Sequence, residues 1–213
     1  MRITLPSGAP AELATAEGAT LGIALHPDIM GLRPLFDELC ARLADEGFTT
    51  CAIEPWPGQE DLPLEKRMNA SLDVDRVLDD LAAAAAATDC ERVAVMGFCM
   101  GGMQTFRAAG TGRFAKAVAF YGMIVPPEPW RAPGKDPLDM LRRPEACPTL
   151  AILGGKDNYT PPEDIEQLRK VPNVEVVAYR EAEHGFVHAP ERPSHRPDDA
   201  ADAWRRTFGF LRA

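Results

Sequence analysis

Short runs of aliphatic and β-branched residues alternate along this chain with longer stretches whose apolar positions recur every three or four residues. The short runs, Thr20–Leu25, Thr49–Ile53, Arg92–Gly97, Ala117–Tyr121, Thr149–Gly154 and Val174–Tyr179, carry little polar alternation, which predicts strands buried on both faces. The longer stretches predict helices at Leu32–Glu46, Asn69–Ala87, Gly101–Ala109, Pro161–Lys170 and Ala200–Leu211. In the first of these Leu35, Leu39 and Leu43 recur at a spacing of four, and Gly47 stands where a helix end favours positive φ. Ahead of them, Arg2–Leu5 and Glu12–Thr15 flank a Pro-Ser-Gly turn and predict an antiparallel hairpin. The proline-rich stretch Val125–Pro148 predicts a long surface loop or a lid beside a site. Strand and helix alternate throughout, so the fold class is α/β, a mostly parallel central sheet flanked by helices.

Composition narrows this picture. A chain of 213 residues, 46% of them hydrophobic, fits a single domain over 1–213 with one substantial core. The net charge of −9 opposes nucleic-acid binding, which needs clustered Lys and Arg, and it repels an anionic substrate unless a pocket cation compensates. The first residues lack a secretory apolar segment, and the longest plain apolar stretch, Leu81–Ala87, is far short of the ~20 residues of a membrane helix. Five cysteines without paired spacing suit a reducing compartment. The expectation is a cytoplasmic monomer or homodimer with no membrane partner. The four histidines lack ligand spacing, so neither a metal nor another cofactor is expected.

The chemistry concentrates at Gly97-Phe98-Cys99-Met100-Gly101-Gly102, which directly follows the run Val93–Met96. This is the Gly-x-nucleophile-x-Gly elbow with Cys in the serine position. A residue on so sharp a strand-to-helix turn has a crowded backbone, and glycines two positions away on either side relieve it. The thiol then sits at a helix N-terminus, where the macrodipole and free N–H groups favour negative charge. Cys40, Cys51, Cys90 and Cys147 have no such setting and read as small apolar residues.

A thiol nucleophile needs a base, and the base an orienting carboxylate, in the chain order nucleophile, acid, histidine. Asp157 follows a strand that ends in Gly154-Gly155, and His184 lies in a loop after the last strand; both fall at the edge where α/β sheets collect catalytic groups. Thr160-Pro161-Pro162-Glu163 has the form of a capping box, which leaves Asp157 free for other work.

Taken together, Gly-Phe-Cys-x-Gly-Gly, the Gly-x-x-Asp turn, the His184-Gly-Phe loop, Phe120-Tyr121-Gly122 and the closing helix around Ala203-Trp204 resemble the dienelactone hydrolase family of α/β-hydrolases over almost the full chain. The resemblance implies a hydrolase that cleaves a small ester or lactone through an acyl-thioester on Cys99, with Asp157 and His184 completing a triad. It implies an oxyanion hole from the N–H groups of Ile29 and Met100. By the same resemblance Asp28, where the family carries Glu, holds the resting thiol, and Tyr121 is the strand-end tyrosine. Arg67 falls in the region of one substrate-carboxylate arginine; the position of the second is occupied by His188, which weakens dienelactone itself as substrate. A non-turnover binding or redox-sensing protein and an acyl transferase are the alternative readings.

Overall fold

The computed structural model describes residues 1–213. Its eight strands are β1 (Arg2–Thr4), β2 (Pro10–Ala14), β3 (Leu21–His26), β4 (Thr49–Ile53), β5 (Arg92–Phe98), β6 (Lys116–Phe120), β7 (Thr149–Gly154) and β8 (Val174–Tyr179). They form one sheet in the order β1-β2-β4-β3-β5-β6-β7-β8, antiparallel at β1, β2 and β4 and parallel from β4 through β8. Seven helices cover it: α1 (Pro34–Asp45), α2 (Leu64–Asn69), α3 (Val74–Ala87), α4 (Met100–Ala109), α5 (Pro137–Leu141), α6 (Pro162–Arg169) and α7 (Pro197–Arg212). Both faces of the sheet are buried. One carries Val95, Ala117, Ala119 and Ala151 against α3 and α4; the other carries Ile23, Met96, Val118 and Ile152 with residues of α1 and α7.

The register sets the site. His26 pairs with Gly97, Phe98 with Phe120, and Gly154 with Tyr179, so the chain leaves β3, β5, β6, β7 and β8 along one edge. The residues that follow those strands, Asp28, Cys99, Tyr121, Asp157 and His184, come from five loops at that edge.

Three local expectations need correction. The helix expected over Asn69–Ala87 starts later: Asp73 caps α3 by accepting from the Arg76 N–H at 3.0 Å, residues 70–73 are not helical, and Asn69 is the last residue of the separate helix α2. The capping box at Thr160 does not form, because Pro161 is the cap residue of α6 and the buried Thr160 hydroxyl has no partner. The stretch Val125–Pro148 is more ordered than a plain loop. It holds a 3-10 turn at Glu128–Trp130 and α5, and the buried Arg107 of α4 fastens it by donating to the carbonyls of Lys135 and Trp130, each at 2.8 Å. No helix is long and apolar enough to cross a membrane.

Candidate active site

Cys99 occupies the turn between β5 and α4 with φ +57° and ψ −115°, a conformation few side-chain-bearing residues adopt. The flanking glycines explain how the turn is tolerated. A Cβ on Gly97 would sit 2.2 Å from the Gly101 carbonyl oxygen, and one on Gly101 would sit 2.2 Å from the His26 carbonyl oxygen. Both glycines are therefore required by close backbone approach. The Cys99 N–H donates to the Phe120 carbonyl at 3.0 Å, and its own carbonyl accepts the Met103 N–H at 3.1 Å, so β6 and the first turn of α4 hold the elbow from both sides.

The thiol lines a cavity of about 170 Å³ whose wall is mostly apolar, with Ile29, Leu64, Met68, Met123 and Trp130, and which Asp28, Tyr159, His184 and Arg192 also reach. A second, polar basin of about 470 Å³ adjoins it, sharing Tyr159, His184 and Arg192 and adding Lys156, Asn158, Glu183 and Ser194. His184 stands between the two.

The carboxylate of Asp157 is fully buried and divides its oxygens: Oδ1 accepts the Tyr159 N–H at 2.8 Å and Oδ2 accepts from His184 Nδ1 at 2.7 Å. The residue thus serves its own turn and the imidazole together. The rings of Tyr121 and Tyr159 lie edge-on to the imidazole at 5.1 and 4.9 Å, which limits its rotation. Nε2 is buried and has no hydrogen-bond partner. Burial alone would lower the pKa of His184, but Asp157 and the adjacent Cys99 sulfur outweigh it and raise the value to about 10.

Beside the elbow, the turn Pro27–Gly31 brings Ile29 to the cavity wall. Neither the Ile29 nor the Met100 N–H donates a hydrogen bond within the protein.

Asp28 does not make a hydrogen bond to Cys99. Its oxygens accept from the Met30 N–H at 2.9 Å, from both terminal nitrogens of Arg33 at 2.7 and 2.8 Å, and from His188 Nε2 at 2.9 Å. Burial would raise its pKa, but His188 and Arg33 hold the carboxyl well below the usual range. His188 in turn accepts from the Tyr121 hydroxyl at Nδ1, and burial keeps its pKa below the ordinary histidine value. Arg33, Asp28, His188 and Tyr121 therefore form one continuous chain behind the catalytic edge. His188 is spent on this chain and does not line the cavity, contrary to a substrate-binding role.

Arg67 departs from its expected role too. Its guanidinium donates to the carbonyls of Leu62 at 2.7 Å, Ile29 at 3.0 Å and Glu60, and the side chain is buried away from both cavities. The cation that does reach both cavities is Arg192, eight residues beyond His184, which makes no ion pair. Its loop, rich in proline and charge, gives no periodic signal by which the sequence alone could single it out. No group of three or more His, Cys, Asp or Glu is arranged to hold a metal ion.

The model of the dienelactone hydrolase family matches residues 10–213. An Escherichia coli K12 protein named "Putative carboxymethylenebutenolidase" is 32% identical over 203 residues, covering 87% of this chain and 74% of the relative. The carboxymethylenebutenolidase of Rhodococcus opacus is 29% identical over 217 residues, covering 92% of this chain and 82% of that one. Among solved structures, a "Putative Dienelactone Hydrolase" from Klebsiella pneumoniae superposes with a TM-score of 0.85 at 26% identity, over 99% of this chain and 97% of the other. With the elbow, the Asp157–His184 pair and the sheet order in hand, the chain belongs to the dienelactone hydrolase family and is an α/β-hydrolase that acts on esters or lactones.

Proposed function

We propose that Cys99 is the nucleophile of this hydrolase, His184 its base and Asp157 the orienting carboxylate. The observation that carries this reading is the 2.7 Å Asp157–His184 hydrogen bond at the mouth of a cavity that Cys99 lines. With Nδ1–H donated to Asp157, Nε2 is the nitrogen that takes the thiol proton, and the raised pKa of the imidazole lets it hold that proton until the leaving oxygen takes it. The sulfur attacks the carbonyl carbon, a C–S bond forms, and the oxygen takes the charge under the Ile29 and Met100 amides. Collapse breaks the C–O bond as His184 returns its proton to the leaving oxygen. A water deprotonated by His184 then attacks the thioester and expels the thiolate. In a lactone the leaving alcohol stays tethered, and the product is a single hydroxy acid.

The same nitrogen must reach both sulfur and leaving oxygen, so the leaving group lies on the His184 side, in the polar basin with Arg192. The acyl group then rests on the apolar wall of Leu64, Met68, Met123 and Trp130. We assign to Arg192 the task of meeting negative charge on the leaving group. Relatives named as carboxymethylenebutenolidases support a lactone among the substrates.

Replacing Cys99 tests the assignment. In Cys99→Ala, kcat/KM for an activated ester should fall by roughly 10⁴-fold or more, the scale of losing an essential nucleophile. Cys147→Ala, at a residue that lines neither cavity, should stay near wild type; a Cys99→Ala enzyme that keeps a tenth of the activity overturns the reading.

A further inference from the structure

We infer that Arg67 and Trp56 are positioning residues that fix the oxyanion-binding turn, and that Arg67 is not a ligand of the substrate. The inference rests on the assignment of the Ile29 N–H as an oxyanion donor. One carbonyl carries the argument: the oxygen of Ile29 accepts both Trp56 Nε1 at 2.9 Å and Arg67 Nη1 at 3.0 Å. The other nitrogens of Arg67 reach the carbonyls of Leu62, at 2.7 Å, and Glu60. Most buried arginines face carboxylates. This one spans three backbone carbonyls from two segments, and its planar fork makes a stiff bridge between them.

The geometry gives that bridge a purpose. The turn Pro27–Gly31 is irregular backbone beyond the end of β3, and an oxyanion donor on it must hold its direction within about 10–20°. Upstream, the Asp28 carbonyl accepts the Gly31 N–H at 3.0 Å; in the peptide after Ile29, the Met30 N–H donates to Asp28 Oδ1 at 2.9 Å. Downstream, two side-chain donors hold the Ile29 carbonyl. The peptide that carries the Ile29 N–H lies between these anchors. With the carbonyl of that peptide pinned on one side and the next peptide pinned on the other, the N–H direction toward the cavity is set before substrate arrives. Arg67 is 2% exposed and touches neither cavity, so a substrate carboxylate would have to draw it out of three hydrogen bonds.

The test compares wild type with Trp56→Phe and Arg67→Lys on a neutral aryl ester and its carboxylated counterpart. It also measures affinity for an aldehyde of the same acyl group. The Cys99 sulfur adds to that aldehyde, forming a C–S bond and placing charge on the former carbonyl oxygen, as in the attacking step. Expected is a fall in kcat of about 10-fold for each lost donor on both esters, the scale of one well-placed hydrogen bond, with KM moved less than about twofold. Aldehyde affinity should weaken in proportion to kcat/KM. A KM rise confined to the carboxylated ester would return Arg67 to substrate binding and overturn the inference. So would unchanged aldehyde affinity in both variants, which would leave Arg67 and Trp56 as supports of the fold alone. Trp56→Phe keeps the apolar body of the side chain, so it carries the comparison even if Arg67→Lys does not fold. An acyl mass on Cys99 of the wild type reads the nucleophile separately: its absence counts against the proposed function, whereas the variant-to-wild-type aldehyde ratio reads the turn.

Discussion

Arg67, Arg192 and His188 all lie within one neighbourhood of the sheet edge, and their separate tasks follow from what each side chain touches. Arg67 is enclosed by carbonyls and His188 by Asp28 and Tyr121, which leaves Arg192 as the cation open to both cavities. Arg192→Met should therefore raise KM roughly 10-fold for an ester with an anionic leaving group and leave a neutral ester unchanged, as expected for one lost charge-assisted contact. Steady-state kinetics on the matched pair reads this; equal effects on both esters would reject it. His26 offers a prediction of a different kind. It is fully buried, donates from Nδ1 to the Pro27 carbonyl at 2.8 Å, leaves Nε2 unpaired, and burial lowers its pKa to about 4. Below the unfolded value of 6.5 the unfolded chain takes up a proton that the native state refuses until about pH 4. Stability should thus drop by about 3 kcal/mol as pH falls through that window. Denaturant unfolding of wild type and His26→Asn should differ in that slope. The paired comparison separates His26 from His188, whose pKa is also lowered by burial.

Among the elements, the β5–α4 elbow is the most tightly determined. Gly101→Ala would drive a methyl group into the backbone of β3, with the His26 carbonyl oxygen 2.2 Å away, and should cost about 3 kcal/mol in denaturant unfolding. A loss under 1 kcal/mol would mean that the strand end yields easily. The elbow and the parallel strands were legible in the sequence because their signals are local: apolar runs of strand length, and glycines at fixed offsets from Cys99. The break between α2 and α3 was less so, since Asp73 is recognisable as a cap only if the preceding turn is known to end. Thr160 failed as a cap for the converse reason. The two prolines after it move the start of α6 to Pro162, beyond the reach of its hydroxyl. The order of Val125–Pro148 rests on Arg107, a long-range partner that no local pattern names.

At the scale of the whole molecule, the twist and register of one sheet bring five strand-end loops to a common edge, and that convergence makes a site from residues spread between positions 28 and 192. The order of Cys99, Asp157 and His184 along the chain could be read from sequence; the approach of Arg192 to both cavities could not, because it depends on how an irregular loop folds back over the cavity. The net charge of −9 gives the molecule a repulsive field for anions, so the benefit of Arg192 should also depend on salt. KM for the anionic ester should change with ionic strength in wild type more than in Arg192→Met. All of this presupposes an acyl group carried on sulfur. Rapid quenching of the wild type with an activated ester, followed by peptide mass analysis, addresses that directly. A transient acyl mass is expected on the peptide containing Cys99, decaying as product appears and absent in Cys99→Ala. Full turnover with no adduct at Cys99, or an adduct on another residue that forms and decays at the turnover rate, would contradict it.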